Sequence, residues 1–332
     1  MNSTIRNSLL VLSGVILMSG CAQKVTVKAL KPAEVSRAAL TKKVAVTSFQ
    51  NDKPNISGKI EATLAKHKLD GKQYFTIVSR QDLNKVLSEQ KIGTSGLIDP
   101  STATEVGKLI GAQAIISGRT GNASTSDTTF YEPRTKCNKN GCWEVRVFCR
   151  KRIAGLDAEI RMIDTQRGDI IYADTINKTA SWKHCNDDSR ALPSTMMASQ
   201  KLASAIAKDF SYKLVPHYVY YKVALLEKPD LEYTEQQEKL LKSSLEFIKQ
   251  NRYDRAEALL KKLITSTGEK SYVPIYNLAV IKEAQGDYEG AKALYAKADA
   301  LTLEPVEEIN KAINHINKVI AENEKALQQL KK

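Results

Sequence analysis

The chain has 332 residues, a length that accommodates two domains. Hydrophobic residues make up 42% and charged residues 26%, which excludes collagen-like and wholly disordered chains, and an aromatic content of only 6% argues against a sugar- or base-stacking surface. The 50 Lys and Arg against 37 Asp and Glu give +13, a balance compatible with anionic lipid, an acidic polymer or nucleic acid, but the lysines are dispersed along helical segments and read as a solvated surface.

Residues 1–20 read as an export signal: Arg6 is the lone positive charge, residues 9–18 are apolar, and Ser19 and Gly20 are small. The apolar run is too short for a transmembrane helix, which needs about 20 residues. Met18-Ser19-Gly20-Cys21 resembles the bacterial lipoprotein lipobox, with Met18 standing where Leu is usual. The resemblance implies acylation of Cys21 by more than one chain, which makes membrane anchoring stable. Ala22, rather than Asp, then implies sorting to the outer membrane, facing the periplasm. Residues 21–40, Lys-rich and interrupted by Pro32, are expected to be a lipidated tether.

The pattern beyond residue 40 alternates strands and helices. Residues 43–49 (KVAVTSF) suit a buried strand, residues 58–68 have helical spacing through Ile60 and Leu64, and residues 74–79 (YFTIVS) are strand-like. Residues 81–91 place Leu83, Val86 and Leu87 on one helical face, and Ser101 is expected to cap a helix carrying Val106, Leu109 and Ile110. A buried strand at 113–119, a hairpin of 156–164 with 169–178 around Thr165-Gln166-Arg167-Gly168, and a helix after Pro193 lined by Met197, Leu202, Ile206 and Phe210 complete an α/β sandwich.

The stretch from Phe75 to Arg119, with Arg80-Gln81 leading into a helix, Glu89-Gln90 closing it, and Gly107 and Gly111-Ala112 before the strand, resembles the curli-secretion (CsgG-type) lipoprotein family; EIRMIDTQRGDII at 159–171 resembles its later hairpin. The resemblance implies a three-layer-like α/β domain over 41–215. It also implies that the two irregular inserts, 120–152 and 180–193, stand where pore-forming members carry membrane hairpins. A membrane strand needs about 9–11 residues with alternate ones apolar. The first insert offers only Trp143, Val145, Val147 and Cys149 before Arg150-Lys151-Arg152, and the second, SWKHCNDDSR, has no apolar band. Both inserts are therefore expected to be disulfide-pinned periplasmic loops. Cys137, Cys142, Cys149 and Cys185 allow three pairings; Cys137/Cys142 with Cys149/Cys185 is preferred because the first closes a short Lys-Asn-Gly loop, and the spacing does not match a zinc ribbon.

The last third, 216–305, repeats at 35 residues, NRYDRA at 251–256 matching GDYEGA at 286–291. The second unit resembles the tetratricopeptide (TPR) repeat, in which small residues let two helices pack closely. A concave repeat surface carrying Asn277, Tyr288 and Tyr295 is expected to take a periplasmic or secreted protein partner. Residues 306–332 carry Val306, Ile313, Ile320 and Leu327, with Ile309, Ile316, Asn323 and Leu330, at heptad spacing, and read as a capping or coiled-coil helix; a homo-oligomer is compatible with either. No phosphate loop, metal motif or nucleophile elbow is present. The nearest to a catalytic constellation is His184 beside Cys185 with Asp187-Asp188, which a disulfide in a polar loop explains more simply. The sequence therefore reads as a non-catalytic lipid-anchored protein with no cofactor, metal or nucleic acid, acting in secretion or assembly of a surface polymer or appendage. The alternative is a periplasmic adaptor for peptidoglycan synthesis without a pore.

Overall fold

A computed structural model describes residues 23–90 and 96–331. In chain order it begins with β1 (Lys24–Lys31), α1 (Ser36–Leu40), β2 (Lys43–Val46), α2 (Ile56–Lys66), β3 (Lys68–Leu69), β4 (Lys72–Gln73), β5 (Thr76–Ile77), α3 (Arg80–Glu89), α4 (Pro100–Ile110) and β6 (Ala114–Thr120). Three long strands follow: β7 (Ser124–Asn138), β8 (Gly141–Asp164) and β9 (Asp169–Cys185). Then come α5 (Thr195–Leu214), β10 (His217–Ala224), α6 (Glu235–Lys249), α7 (Tyr253–Ser266), α8 (Tyr272–Ala284), α9 (Tyr288–Asp299) and α10 (Glu307–Leu330). The chain divides into two compact units, an α/β unit of residues 29–219 with 321–331, and a helical unit of residues 23–28 with 220–320.

The α/β unit is built on a sheet in the order β5-β2-β6-β8-β7, with β9 on the free side of β8. β2 runs parallel to β5 and β6, while β8 is antiparallel to β6, β7 and β9. Residues 158–164 of β8 pair with β6 and β9 together, and residues 149–155 with β7 and β9 together. So β6 and β7 lie end to end along one edge of β8. Period-two alternation gives the sheet two apolar faces. Val44, Val46, Ile116, Leu156, Ile160 and Met162 pack beneath α2 and α5, whose Ile60, Leu64, Leu202, Ile206 and Phe210 are buried. On the opposite face Ala45, Ile115 and Ile163 meet Leu83 and Leu87 of α3 and Val106 of α4. The result is the expected three-layer arrangement, each large apolar side chain contributing about 1.5–3 kcal/mol by leaving water.

The helix ends follow from short polar side chains. Asp52 accepts from the Ile56 and Ser57 amides, Ser79 from Gln81, and Ser194 from Met197. Asp99, not Ser101, caps α4: its carboxylate takes the Thr102 amide, Pro100 fills the first turn, and the Ser101 hydroxyl bonds back to Asp99. Met197, expected in the core, is exposed, and Ala198 takes the buried place on α5. The β8–β9 turn closes on Gly168 at φ +69°, while Asp164 accepts from the Gln166 and Arg167 amides. Gly107 lets α4 approach this turn, since a Cβ there would lie 2.4 Å from Thr165. Near the end of the chain, Gln329 bonds both the N–H and the C=O of Ala33 and the hydroxyl of Ser36, and Ala326 joins the core.

Two expectations are corrected here. Residues 24–40 are not a free tether: Val25, Val27 and Ala29 alternate with exposed residues to make β1, and α1 buries Ala38 and Ala39. The inserts are strands rather than loops, because the hairpin continues through them, leaving residues 186–194 as the irregular part of the second.

In the helical unit α6 to α9 form two antiparallel pairs. Asn251 (φ +57°) and Gly286 (φ +85°), one 35-residue period apart, make the corresponding tight turns in left-handed backbone, which Gly and Asn adopt at least cost. Thr234 and Gln237 form a reciprocal capping box at the start of α6. The core gathers Ile248, Leu260, Ile275, Ile281 and Tyr295. The amphipathic stripe of α10 within this unit is centred on Ile309, Ala312, Ile316 and Val319, while Val306, Ile313 and Ile320 are only partly covered. β10 pairs with β1 in a two-stranded ribbon.

Candidate functional site

Beyond residue 155 toward its tip, β8 leaves the helices behind and runs with β7 and the end of β9 as a three-stranded arm. β7 alone has 15 residues, a reach of roughly 50 Å at 3.3–3.4 Å per residue. Both disulfides lie in it, across directly paired positions: Cys137–Cys142 clamps the tip turn, and Cys149–Cys185 joins β8 to the last residue of β9. Strand pairing explains this, since it places those two pairs of side chains opposite each other on a common face.

The Cys149–Cys185 bridge is fully buried, with Val147, Val145 and Phe130 around it. Over the sulfurs lies a charged group drawn from β7, β9 and the segment that follows β9. Glu132 accepts from Lys183 at 2.8 and 2.9 Å and pairs with Arg134 at 3.1 Å, and Arg134 reaches Cys185 Sγ at 3.6 Å. The Lys183 hydrogen bond holds the Glu132 carboxyl below the usual carboxylate range. Asp188 accepts from the Cys185 amide at 2.7 Å. Glu132, Cys149 and Cys185 bring potential metal-ligand atoms within 4.8 Å of one another. Zinc binds thiolates, and both sulfurs are committed to the disulfide.

The other side of the arm is aromatic and cationic. Tyr131 meets Phe148 edge-on at 5.6 Å, and the Arg146 guanidinium stands 5.1 Å over the Tyr131 ring. Arg152 grips Asp127 through two hydrogen bonds (2.7 and 2.6 Å) and donates to the Pro193 carbonyl, which fastens the 186–194 segment over this side. His184 Nδ1 lies 2.7 Å from the Arg190 carbonyl oxygen. Asp187 lies 3.9 Å from Arg134, so His184 and the two aspartates serve different contacts and do not surround one nucleophile. Charges occupy both sides: Glu132, Arg134, Lys136, Lys151 and Lys183 on one, Glu144, Arg146, Arg150 and Arg152 on the other. Neither side presents the apolar band that a lipid-facing strand requires.

The side chains expected to line a partner surface sit elsewhere. Asn277 is buried, and its carboxamide accepts from the Leu226 N–H and donates to the Leu226 C=O, at 2.9 and 2.7 Å. Tyr295 is buried too, donating to the Glu283 carboxylate at 2.6 Å, while Tyr221 donates to the same carboxylate at 3.0 Å. Burial pushes the Glu283 carboxyl up. Tyr288 is half-buried and its hydroxyl donates to the Lys28 carbonyl. All three hold the unit together, and the expected binding surface does not include the Asn277 and Tyr295 side chains. Cys21 lies outside the described residues.

The sequence did not single out Glu132, Arg134, Lys183 or Arg152. Their signal was charge alternation at period two on three segments, which acquires meaning only once the register is known.

Residues 22–186, just under half of the chain, match the family model of the curli production assembly/transport component CsgG. Over these residues the chain is similar to the CsgG family. The CsgG-like segment takes in the sheet and the three strands of the arm and leaves α5 to α10 outside it. No curated protein matches the chain. Among solved structures, the LpoB C-terminal domain from Salmonella enterica is 16% identical, with 43% of this chain and 91% of that one covered at a TM-score of 0.26. Lipoprotein GNA1162 from Neisseria meningitidis is 14% identical over 51% and 98%, at 0.26. The PelC dodecamer from Paraburkholderia phytofirmans is 16% identical over 58% and 98%, at 0.23. Among the described residues no helix is long and apolar enough to cross a membrane.

Proposed function

We propose that the protein is a non-catalytic outer-membrane lipoprotein of the curli-secretion type, anchored through Cys21 and facing the periplasm, which serves secretion or assembly of a surface polymer or appendage. The observation that carries this reading is the CsgG family match over the sheet and arm. The arm is the docking element: a long projection with charge on both sides, cross-linked at its tip and at mid-length. The C-terminal third, read as two TPR-like pairs over 216–305 with residues 306–332 as a capping or coiled-coil helix, recruits a protein partner through its exposed residues.

A second reading, an adaptor for peptidoglycan synthesis that forms no pore, draws on the charge distribution. An Arg or Lys facing lipid at mid-depth costs about 2–4 kcal/mol, and both sides of the arm carry several. Light scattering on the lipidated, detergent-extracted protein separates the two. A ring of about eight or more subunits supports a secretion channel and requires the arm to rearrange on assembly; a monomer or dimer supports the adaptor. Cys21→Ala tests the anchor: after a high-salt wash, which removes electrostatic contacts and leaves acyl chains in place, the variant is expected in the soluble fraction, and its retention in washed membranes would remove the lipobox reading.

A further inference from the structure

Within the helical unit, residues 24–28 of β1 and 220–224 of β10 have one side toward the core and one in solvent. Val25 and Val27 are buried, as is Leu225 just beyond β10, whose amide donates to the Gln23 carbonyl. Lys24, Thr26 and Lys28 alternate with the valines and are exposed. On β10, Tyr220 is 67% exposed and Lys222 is exposed, while Tyr221 turns inward to Glu283. Neither strand contains an acidic residue: the sequences are KVTVKALK and HYVYYKVA. Glu308 shares a cleft of about 480 Å³ with Lys24, Lys222, Lys311 and His315, and Lys311 is paired with Glu307. The solvent side of the ribbon is therefore positive, with one amphipathic aromatic among the lysines.

Its position in the chain gives that charge a setting. Cys21 precedes Lys24 by three residues. A chain spans at most about 3.6 Å per residue, so the start of β1 stays within roughly 11 Å of Cys21. That is about one Debye length at physiological salt, where exposed charges still feel a charged surface. We infer that the solvent side of the β1–β10 ribbon is a docking surface for an anionic phospholipid bilayer, with Lys24 and Lys222 facing the headgroups and Tyr220 at headgroup depth. The setting rests on the lipid-anchor reading above; the surface itself is a property of the folded unit. An acyl anchor fixes one point of the protein and leaves its orientation open. A basic ribbon lying on the headgroups fixes the orientation as well. Each lysine near an anionic surface strengthens binding about fivefold, and Tyr favours the water–lipid boundary.

The test uses the full chain carrying Cys21→Ala, so that no acyl chain contributes, in flotation with vesicles of phosphatidylcholine alone or mixed with phosphatidylglycerol. The expected result is binding to the anionic vesicles only, weakening as salt rises. Lys24→Gln with Lys222→Gln should weaken it about 25-fold, and the corresponding two Lys→Arg changes should retain it. An unchanged thermal midpoint establishes that the glutamine variant is folded. Equal flotation of the glutamine variant, equal flotation with neutral vesicles, or no flotation with anionic ones would overturn the surface. Release by millimolar inorganic phosphate at constant ionic strength would overturn it too, by assigning the lysines to a free anion. Failure of the anchor reads out separately: acyl-competent wild-type protein would then be released from membranes by a high-salt wash whatever the vesicles show.

Discussion

The arm and the helical unit solve the same problem, holding a shape, with opposite means. The arm has almost no apolar interior: around the buried disulfide only Val147 is otherwise buried, and its surface is a lattice of ion pairs. Exposed ion pairs contribute little, about 0–1 kcal/mol each, so the arm depends on covalent links and on strand pairing. The helical unit buries a continuous aliphatic core and can accommodate polar groups inside it, provided each is bonded: Asn277 to the Leu226 backbone, Glu283 to two tyrosine hydroxyls. A projection that must meet solvent on both sides is braced by chemistry; a unit with an inside is braced by exclusion of water.

The largest effect that would break this contrast is expected half-way along the arm. Replacing Cys149 and Cys185 together by Ser removes a link across 36 residues, worth about 4 kcal/mol by chain entropy. Hydrogen exchange should show the loss confined to residues 124–155 and 176–188, with the helical unit unchanged. If the amides of the arm stay protected, strand pairing alone holds it. Asn277→Ala comes next in the helical unit, leaving the Leu226 N–H and C=O without their partner at about 1–3 kcal/mol for each group; urea denaturation followed by far-ultraviolet circular dichroism measures it. Opening the short Cys137–Cys142 loop should cost about 2 kcal/mol, read as faster exchange at the tip only. Thr234→Ala should cost about 1 kcal/mol by removing the capping box.

A pH series sharpens the same contrast. Burial raises the Glu283 carboxyl, so the folded state holds that proton more tightly than the unfolded chain does. The stability associated with Glu283 is full below the ordinary value of 4.5 and falls as pH rises through the elevated folded value. Glu283→Gln should flatten that slope, so the difference between wild type and variant declines steadily above pH 4.5. A difference independent of pH would mean that the carboxyl titrates normally.

Much of the α/β unit was legible because its signals are local. Period-two runs such as AIISGR, a Gly at the Thr165–Gly168 turn, and Leu83/Leu87 spacing each specify an element from within a few residues. Ser101 was misplaced as a cap by two residues, since Asp99 and Ser101 offer equivalent oxygens and only the backbone path decides between them. The arm was read as loops because its apolar face is short, limited to Phe130, Val145, Val147 and the Cys149–Cys185 bridge, and the alternation that reveals a strand breaks off at Arg150-Lys151-Arg152. β1 was missed for a related reason: Val25, Val27 and Ala29 alternate correctly but sit among lysines that read as tether. Asn277 and Tyr295 were legible as special residues but not as interior ones, because burial of a polar group depends on a partner, Leu226 or Glu283, that periodicity does not reveal.

The bonds from Gln329 to Ala33 and Ser36 carry a consequence for how the protein is made. Residue 33 is synthesised 296 residues before residue 329. The α/β unit therefore lacks these pieces until the ribosome has passed through the helical unit, and the segment at 321–330 completes a core whose other parts were made long before it. A nonsense change after Ile320 would leave the helical unit's own residues intact, yet deprive the earlier-made unit of Ala326 and Gln329, so the damage would surface far along the sequence from the lesion.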